Sequence, residues 1–241
     1  MATAQLKRKQ PKTPALPTVD TRNGDGDYPI TIPPSATTLA GFREWSYSDA
    51  FPERGKITFA GGEIIIDMSP ERLTSHVLIK GEVHFVVGGL MRAEDLGQYY
   101  LDGARIVNVE AEVSNEPDSM AVLWESFESG RVREIPTAEG DDWIELEGTP
   151  DWLLEIVSPS SVAKDTVKLR DRYHRARVPE FWLIDVGRNK LDFSMLLWHA
   201  DGYRPAPNKG GWQKSKVFGR QFRLVRITNR RGRPAFRLEM K

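Results

Sequence analysis

The chain has 241 residues, 39% of them hydrophobic and 10% aromatic, enough to bury the core of one large or two small domains. It contains no Cys, which excludes disulfides, thiolate nucleophiles, Cys-ligated zinc and iron–sulfur clusters and leaves carboxylates and histidines to carry chemistry. No apolar run approaches the ~20 residues that span a bilayer, and MATAQLKRKQPKTPALP has no apolar segment behind its basic residues, so a cytoplasmic protein is expected.

The balance of 34 basic and 34 acidic residues conceals three unlike parts. Residues 1–22 hold 5 Lys/Arg and one Asp, residues 23–201 hold 17 against 32, and residues 202–241 hold 12 against one. An acidic body with a basic C-terminal segment can set that segment on a phosphate backbone or against its own acidic surface. Acidic residues can also gather to hold a divalent cation.

Residues 1–36 are rich in Pro and polar groups around NGDGD and are predicted to form a disordered leader. TTLAGFREWSYS carries Leu39, Phe42 and Trp45 at spacing three, the pattern of a short amphipathic helix. KITFAGGEIIIDM reads as two strands around Gly61 and Gly62, a pair that supplies positive φ in a tight hairpin. In SPERLTSHVLIKGEVHFVVGGLM, Ser69 as N-cap and Pro70 at the first position open a helix that buries Leu73, Val77, Val83, Val86, Val87 and Leu90. Strand-like runs follow at QYYLD, ARIVNVEAEV and SMAVLWESF, then a polar connection through DDWIELEGTPD.

WLLEIV is a continuous apolar strand and SPSS a turn. KDTVKLRDRYHRARV is a charged helix with Val167, Tyr173 and Val178 inward, and EFWLIDV and KLDFSMLLWH are strands. This order predicts an α/β fold, a mixed β-sheet flanked by helices, over residues 38–200. FRLVRIT and PAFRLEM around NRRGR predict a basic β-hairpin within 201–241, added to the edge of that domain.

Glu155 interrupts the apolar strand, and burying a carboxylate costs several kcal/mol unless it is paired or bound to a metal. Asp118 stands where a Pro-delimited turn enters another apolar strand, so the two acids can meet at neighbouring strand ends and hold a hard cation such as Mg²⁺. A buried Glu answered by Lys or Arg explains the same pattern without chemistry. Lys168 and Lys164, one helical turn apart, compete to reach these acids from the following helix, although a solvated side chain is the commoner fate of either. Asp67 and Asp185 end apolar strands, where an Asp can support a site or merely start a turn. No GxSxG elbow is present, so Ser158 and Ser160 need no catalytic role.

GGEIIIDMSP, the helix with an early His, PDSMAV, DWLLEIVSPSS and KLRDRYHRARVPEFWLIDV, in this order, resemble the Uma-type endonucleases of the PD-(D/E)XK superfamily over residues 38–200. The resemblance implies a restriction-endonuclease-like fold and metal-dependent hydrolysis of phosphodiesters, with DNA as partner and Mg²⁺ or Mn²⁺ as cofactor. Position by position it implies Glu63, Asp118 and Glu155 as metal acids, Lys168 as the lysine that orients water and steadies transition-state charge, and His76 as a phosphate or proton-transfer group. His76 as a core hydrogen-bonding residue is the alternative.

Two positions depart from the pattern. Val157 stands where the wider superfamily has its strand lysine, and Arg177 stands where the family usually has Gly before VPE, so the helix must end another way. The rival functions are a catalytically inactive domain that binds nucleic acid through the basic hairpin, and an interaction module whose buried acids form salt bridges. A homodimer would suit the cutting of two strands.

Overall fold

A computed structural model describes residues 30–187 and 189–241. The leader expected over 1–36 lies outside the described residues up to position 29. Within 30–36 the chain is ordered, since Pro34–Thr37 forms a 3-10 turn with Ala36 buried. The chain divides into two compact units, Met1–Pro52 and Glu53–Lys241.

In the first unit α1 (Leu39–Ser46) follows that turn, capped by the Thr38 hydroxyl, which accepts from the Gly41 amide at 3.1 Å. Gly41 sits so close to the Ser35 carbonyl that a Cβ there would collide with it. Phe42 and Trp45 are buried as their spacing predicts, and both meet Phe51 edge-on.

The second unit opens with β1 (Lys56–Ala60) and β2 (Glu63–Asp67), an antiparallel hairpin turned by Gly61 and Gly62 at φ 60° and 84°. Helix α2 is a continuous run of Leu73–Val77, Leu78–Val83, His84–Gly88 and Gly89–Ala93, with wide turns in its first and third segments. It starts at Leu73 after Arg72, later than the Ser69 cap predicts; Ser69 instead donates its amide to Asp67 Oδ1. Its inward face reads His76, Ile79, Lys80, Val83, Val87 and Leu90, so Leu73 and Val77 face outward at 75% and 39% exposure. The polar pair displaces them because His76 and Lys80 reach a buried carboxylate described below.

Then come β3 (Gly97–Leu101), β4 (Ile106–Asn108), β5 (Val113–Asn115), β6 (Ser119–Leu123), the short α3 (Trp124–Glu128), β7 (Val132–Pro136) and β8 (Trp143–Gly148). The remaining elements of the main body are β9 (Trp152–Val157), α4 (Lys164–Leu169 continued by Arg170–Arg175), β10 (Glu180–Val186) and β11 (Leu191–Leu197). Strands β12 (Arg204–Pro205), β13 (Asn208–Lys209), β14 (Trp212–Lys214), β15 (Gln221–Thr228) and β16 (Pro234–Met240) complete the chain. Two six-stranded sheets run β2-β1-β5-β4-β8-β7 and β12-β11-β10-β9-β6-β3, and a four-stranded one runs β13-β14-β15-β16. The pairs β9/β10 and β4/β8 are parallel and the rest antiparallel, the mixed α/β arrangement predicted.

Strand alternation on β9 sorts the core. Trp152, Leu154 and Ile156 pack with Ile79, Val83 and Val87 of α2, while Leu153 packs with Tyr173, Leu169 and Phe181 on the other face. Glu155 shares the Leu153 face. The basic hairpin forms as β15 and β16, but it extends no edge of the main sheets: Phe222, Leu224, Phe236 and Leu238 pack face-on into the cluster with α2. Val167, read as inward, is 64% exposed, whereas Tyr173 and Val178 are buried.

Candidate active site

Asp118 and Glu155 are brought together by the ladder between β6 and β9. The Asp118 amide donates to Leu154 O at 3.1 Å, and Asp118 Oδ2 accepts the Ile156 amide at 2.7 Å, so the side chain closes the ladder where β6 begins. The preceding turn is steadied by Arg105, which pairs with Glu116 and reaches Ser114 Oγ at 3.2 Å. Both acids are buried and line a cavity of about 370 Å³.

Cations crowd Asp118. Lys56 Nζ donates to Oδ1 at 2.7 Å, Lys80 Nζ lies 3.4 Å from the same oxygen, and His76 Nε2 lies 3.4 Å from Oδ2. Burial alone would raise the Asp118 pKa, but the His76 hydrogen bond and the charges of Lys56 and Lys80 prevail and hold it well below the usual carboxylate range. Glu71 and Asp102 share these cations, with Lys80 Nζ donating to both at 2.6 Å.

Glu155 has the opposite environment. Its Oε1 accepts from Asn115 Nδ2 at 2.9 Å and from the Tyr173 hydroxyl at 2.7 Å, and Asn115 Oδ1 in turn accepts from Thr58 at 2.5 Å, tying β9 to the neighbouring sheet. Burial, reinforced by the negative charges of Asp165 and Asp118 and opposed by Lys164, pushes the Glu155 carboxyl up to about 8. Lys164 is itself buried, 3.2 Å from Asp165 Oδ1, and both line the cavity. Burial lowers the Lys164 pKa, yet Glu155 and Asp165 outweigh it and keep the ammonium charged.

Of the residues singled out in the sequence, Asp118, Glu155 and His76 line this cavity, and Glu63 and Lys168 do not. Glu63 and Lys168 pair with each other at the surface, with side chains 62% and 39% exposed. The wide turn over Lys164–Leu169 explains the exchange: it puts Lys164, Asp165 and Leu169 inward and leaves Lys168 outside. Asp67 lines the cavity as a turn-former, accepting from the Ser69 amide and Ser160 Oγ, and Asp185 pairs with Lys190. Sequence reasoning missed Lys56, Lys80, Glu71 and Asp165. Lys80 carried a signal, lying four residues after His76 and hence on the same helix face.

The residues suit a divalent cation. One ligand atom each from Glu71, His76 and Asp118 lie within 4.8 Å of one another. His76 Nδ1, 3.3 Å from Glu71 Oε2, is buried without a hydrogen bond, and a bound cation would favour the carboxylate form of Glu155, which burial and the charges of Asp165 and Asp118 now disfavour.

The model of the Uma2 family, described as "Putative restriction endonuclease", matches residues 39–224. The chain belongs to the Uma2 family. The match runs past residue 200 into β15 and leaves the turn after it, with β16, outside. Solved structures similar to this Uma2 chain include one from Anabaena variabilis titled as a putative nuclease belonging to DUF820. It is 18% identical, covers 76% of this chain and 90% of its own, and superposes with a TM-score of 0.54, which shows a shared fold. No curated protein matches the chain. No helix among the described residues is long and apolar enough to cross a membrane.

Proposed function

We propose that this Uma2 chain is a metal-dependent endonuclease that hydrolyses phosphodiester bonds of DNA, with Asp118 and Glu155 as its central acids and Lys164 as its lysine. The observation that carries the reading is the Asp118–Ile156 bond, which seats a turn acid beside a strand acid in a cavity that also admits Lys164. Asp118 with Glu71 and His76 would hold Mg²⁺ or Mn²⁺, with Glu155 on the wall of the same cavity as a further acid. When bound, the cation polarises the scissile phosphate and acidifies a water.

The chain's own residues do the rest. Asn115 and Tyr173 hold Glu155 Oε1 and fix the direction of its carboxylate. Lys164, on the first turn of α4 and kept charged by Glu155 and Asp165, faces the cavity where a phosphate oxygen gains negative charge, and a fixed cation in a water-poor site is worth a few kcal/mol there. Lys56, which lines the cavity beside Asp118, is placed to neutralise a phosphate oxygen there. Val157 needs no lysine substitute on the strand, because the helix supplies one to the same cavity.

Incubating the protein with supercoiled plasmid and with single-stranded DNA in Mg²⁺, Mn²⁺ or EDTA tests this. Metal-dependent cutting that disappears in Glu155→Ala supports the nuclease. Salt-sensitive binding without cutting would replace it by an inactive nucleic-acid-binding domain, and neither cutting nor binding by an interaction module.

A further inference from the structure

We propose that the turn between β15 and β16, with Arg230, Arg231 and Arg233, is a clamp for the phosphate backbone of the nucleic-acid duplex whose scissile bond occupies the cavity. The inference rests on the nuclease reading and adds to it the surface that holds the substrate outside the reacting centre.

Charge is the first ground. Of the 12 basic residues in 202–241, Arg204, Arg220 and Arg223 are paired with Asp201, Glu94 and Glu239. Arg230, Arg231 and Arg233 are exposed and make no ion pair among the described residues, so the tip is not spent on the acidic body. Guanidinium forks without carboxylate partners match phosphate oxygens.

The second ground is rigidity. Asn229 Oδ1 accepts the amides of Arg231 at 2.9 Å and Arg233 at 3.1 Å, the Asn229 amide donates to Arg233 O at 2.8 Å, and Gly232 turns the chain at φ 70°. Arginines on a fixed backbone lose less entropy on binding than arginines on a loose tail.

Position is the third. Arg226 Nη2, just before the turn, donates to Gly187 O at 2.7 Å and Lys190 O at 3.0 Å, fastening the hairpin to the loop after β10. Gly187 lines a hollow of about 160 Å³ together with Arg72, His76, Val157 and Ser158, and His76 and Ser158 also line the active cavity. Parallel β9 and β10 both end on this side. The arginine turn therefore follows closely on an anchor to the loop that borders the hollow beside the cavity, and it lies outside the span that matches the family.

The test is a salt series of anisotropy titrations of the full chain against labelled DNA and RNA duplexes in EDTA, beside the plasmid-cutting assay. The variant Arg230→Gln/Arg231→Gln/Arg233→Gln is expected to flatten the slope of log affinity against log salt by about 2.7, from about 0.9 per lost phosphate contact. The triple Lys variant, which keeps the charges, should keep most of the slope. The same change on RNA with tighter binding supports the clamp and assigns it to RNA. If the wild type binds and cuts DNA while the Gln variant keeps the wild-type slope, the clamp is overturned and the nuclease stands. If the wild type neither binds nor cuts, both fall.

Discussion

Asp118 Oδ2 accepts the amide of Ile156 at 2.7 Å, so the acid of the Pro117 turn is tied to the peptide bond that follows Glu155. An amide at 118 could still accept that bond, but it could not answer Lys56, Lys80 and His76. Asp118→Asn should therefore abolish cutting and also lower stability by about 2–4 kcal/mol, somewhat under the cost of stranding a fully dry ion pair because Lys56 keeps some contact with water. Urea denaturation in EDTA checks it, and an unchanged midpoint would show that the three cations do not depend on Asp118.

The two candidate lysines separate cleanly. Lys164 is buried beside Asp165 on the cavity wall, and Lys168 is exposed and engaged with Glu63. Lys164→Ala should reduce the cutting rate by about 10²-fold or more, the scale of losing one fixed positive group at a developing charge. Lys168→Ala and Glu63→Gln should cut nearly as the wild type, since surface pairs contribute about 0–1 kcal/mol. Single-turnover rates on plasmid decide between them, and a silent Lys168→Ala with an active Lys164→Ala would reverse the assignment.

Glu155 makes stability depend on pH in an unusual direction. Burial first, then Asp165 and Asp118, push its carboxyl up to about 8, from an ordinary glutamate value of 4.5. Between these values the folded chain holds a proton that the unfolded chain releases, so metal-free stability falls as pH rises from about 4.5 towards about 8 and levels off above. Glu155→Gln should flatten that slope, leaving the part that His76 and Asp165, both also raised in the folded chain, contribute with the same sign. Mn²⁺ competes with the same proton, and its affinity should climb with pH over the same window. Thermal denaturation in EDTA and Mn²⁺ titration across the range provide the readings; a wild-type slope retained in Glu155→Gln would place the titration elsewhere.

The pieces legible in the sequence are those set by local pattern. Gly61 and Gly62 announce a hairpin, the apolar run of Trp152–Val157 announces a central strand, and a lone Glu inside it announces a buried acid that needs a partner. The missed pieces depend on distant contacts. Leu73 and Val77 look like core until His76 and Lys80 turn inward to Asp118. Spacing along an ideal helix cannot choose Lys164 over Lys168, because the wide turn at Lys164–Leu169 shifts the phase. Lys56 and Glu71 join the site only when β1 and the segment before α2 fold over the end of β9, which no short window of sequence reports.

Arg177 ends α4 in the very conformation that a glycine would take. Its φ is 58°, its amide donates to His174 O at 2.9 Å, and the Val178 amide donates to Tyr173 O at 3.0 Å, which together make a Schellman close. The helix therefore does not end another way, as the missing Gly suggests; the arginine accepts the left-handed backbone, at a cost of about 1–2 kcal/mol for a residue with a Cβ. Its side chain is exposed and makes no ion pair among the described residues, so little opposes its removal. Arg177→Gly should stabilise the protein by about 1 kcal/mol, less than the full strain because Gly gains entropy when unfolded, and should raise Tm by about 2–4 °C. Arg177→Ala, which keeps the Cβ and the strain, should leave Tm near the wild-type value. Equal gains in both variants would trace the effect to the lost charge and not to the backbone.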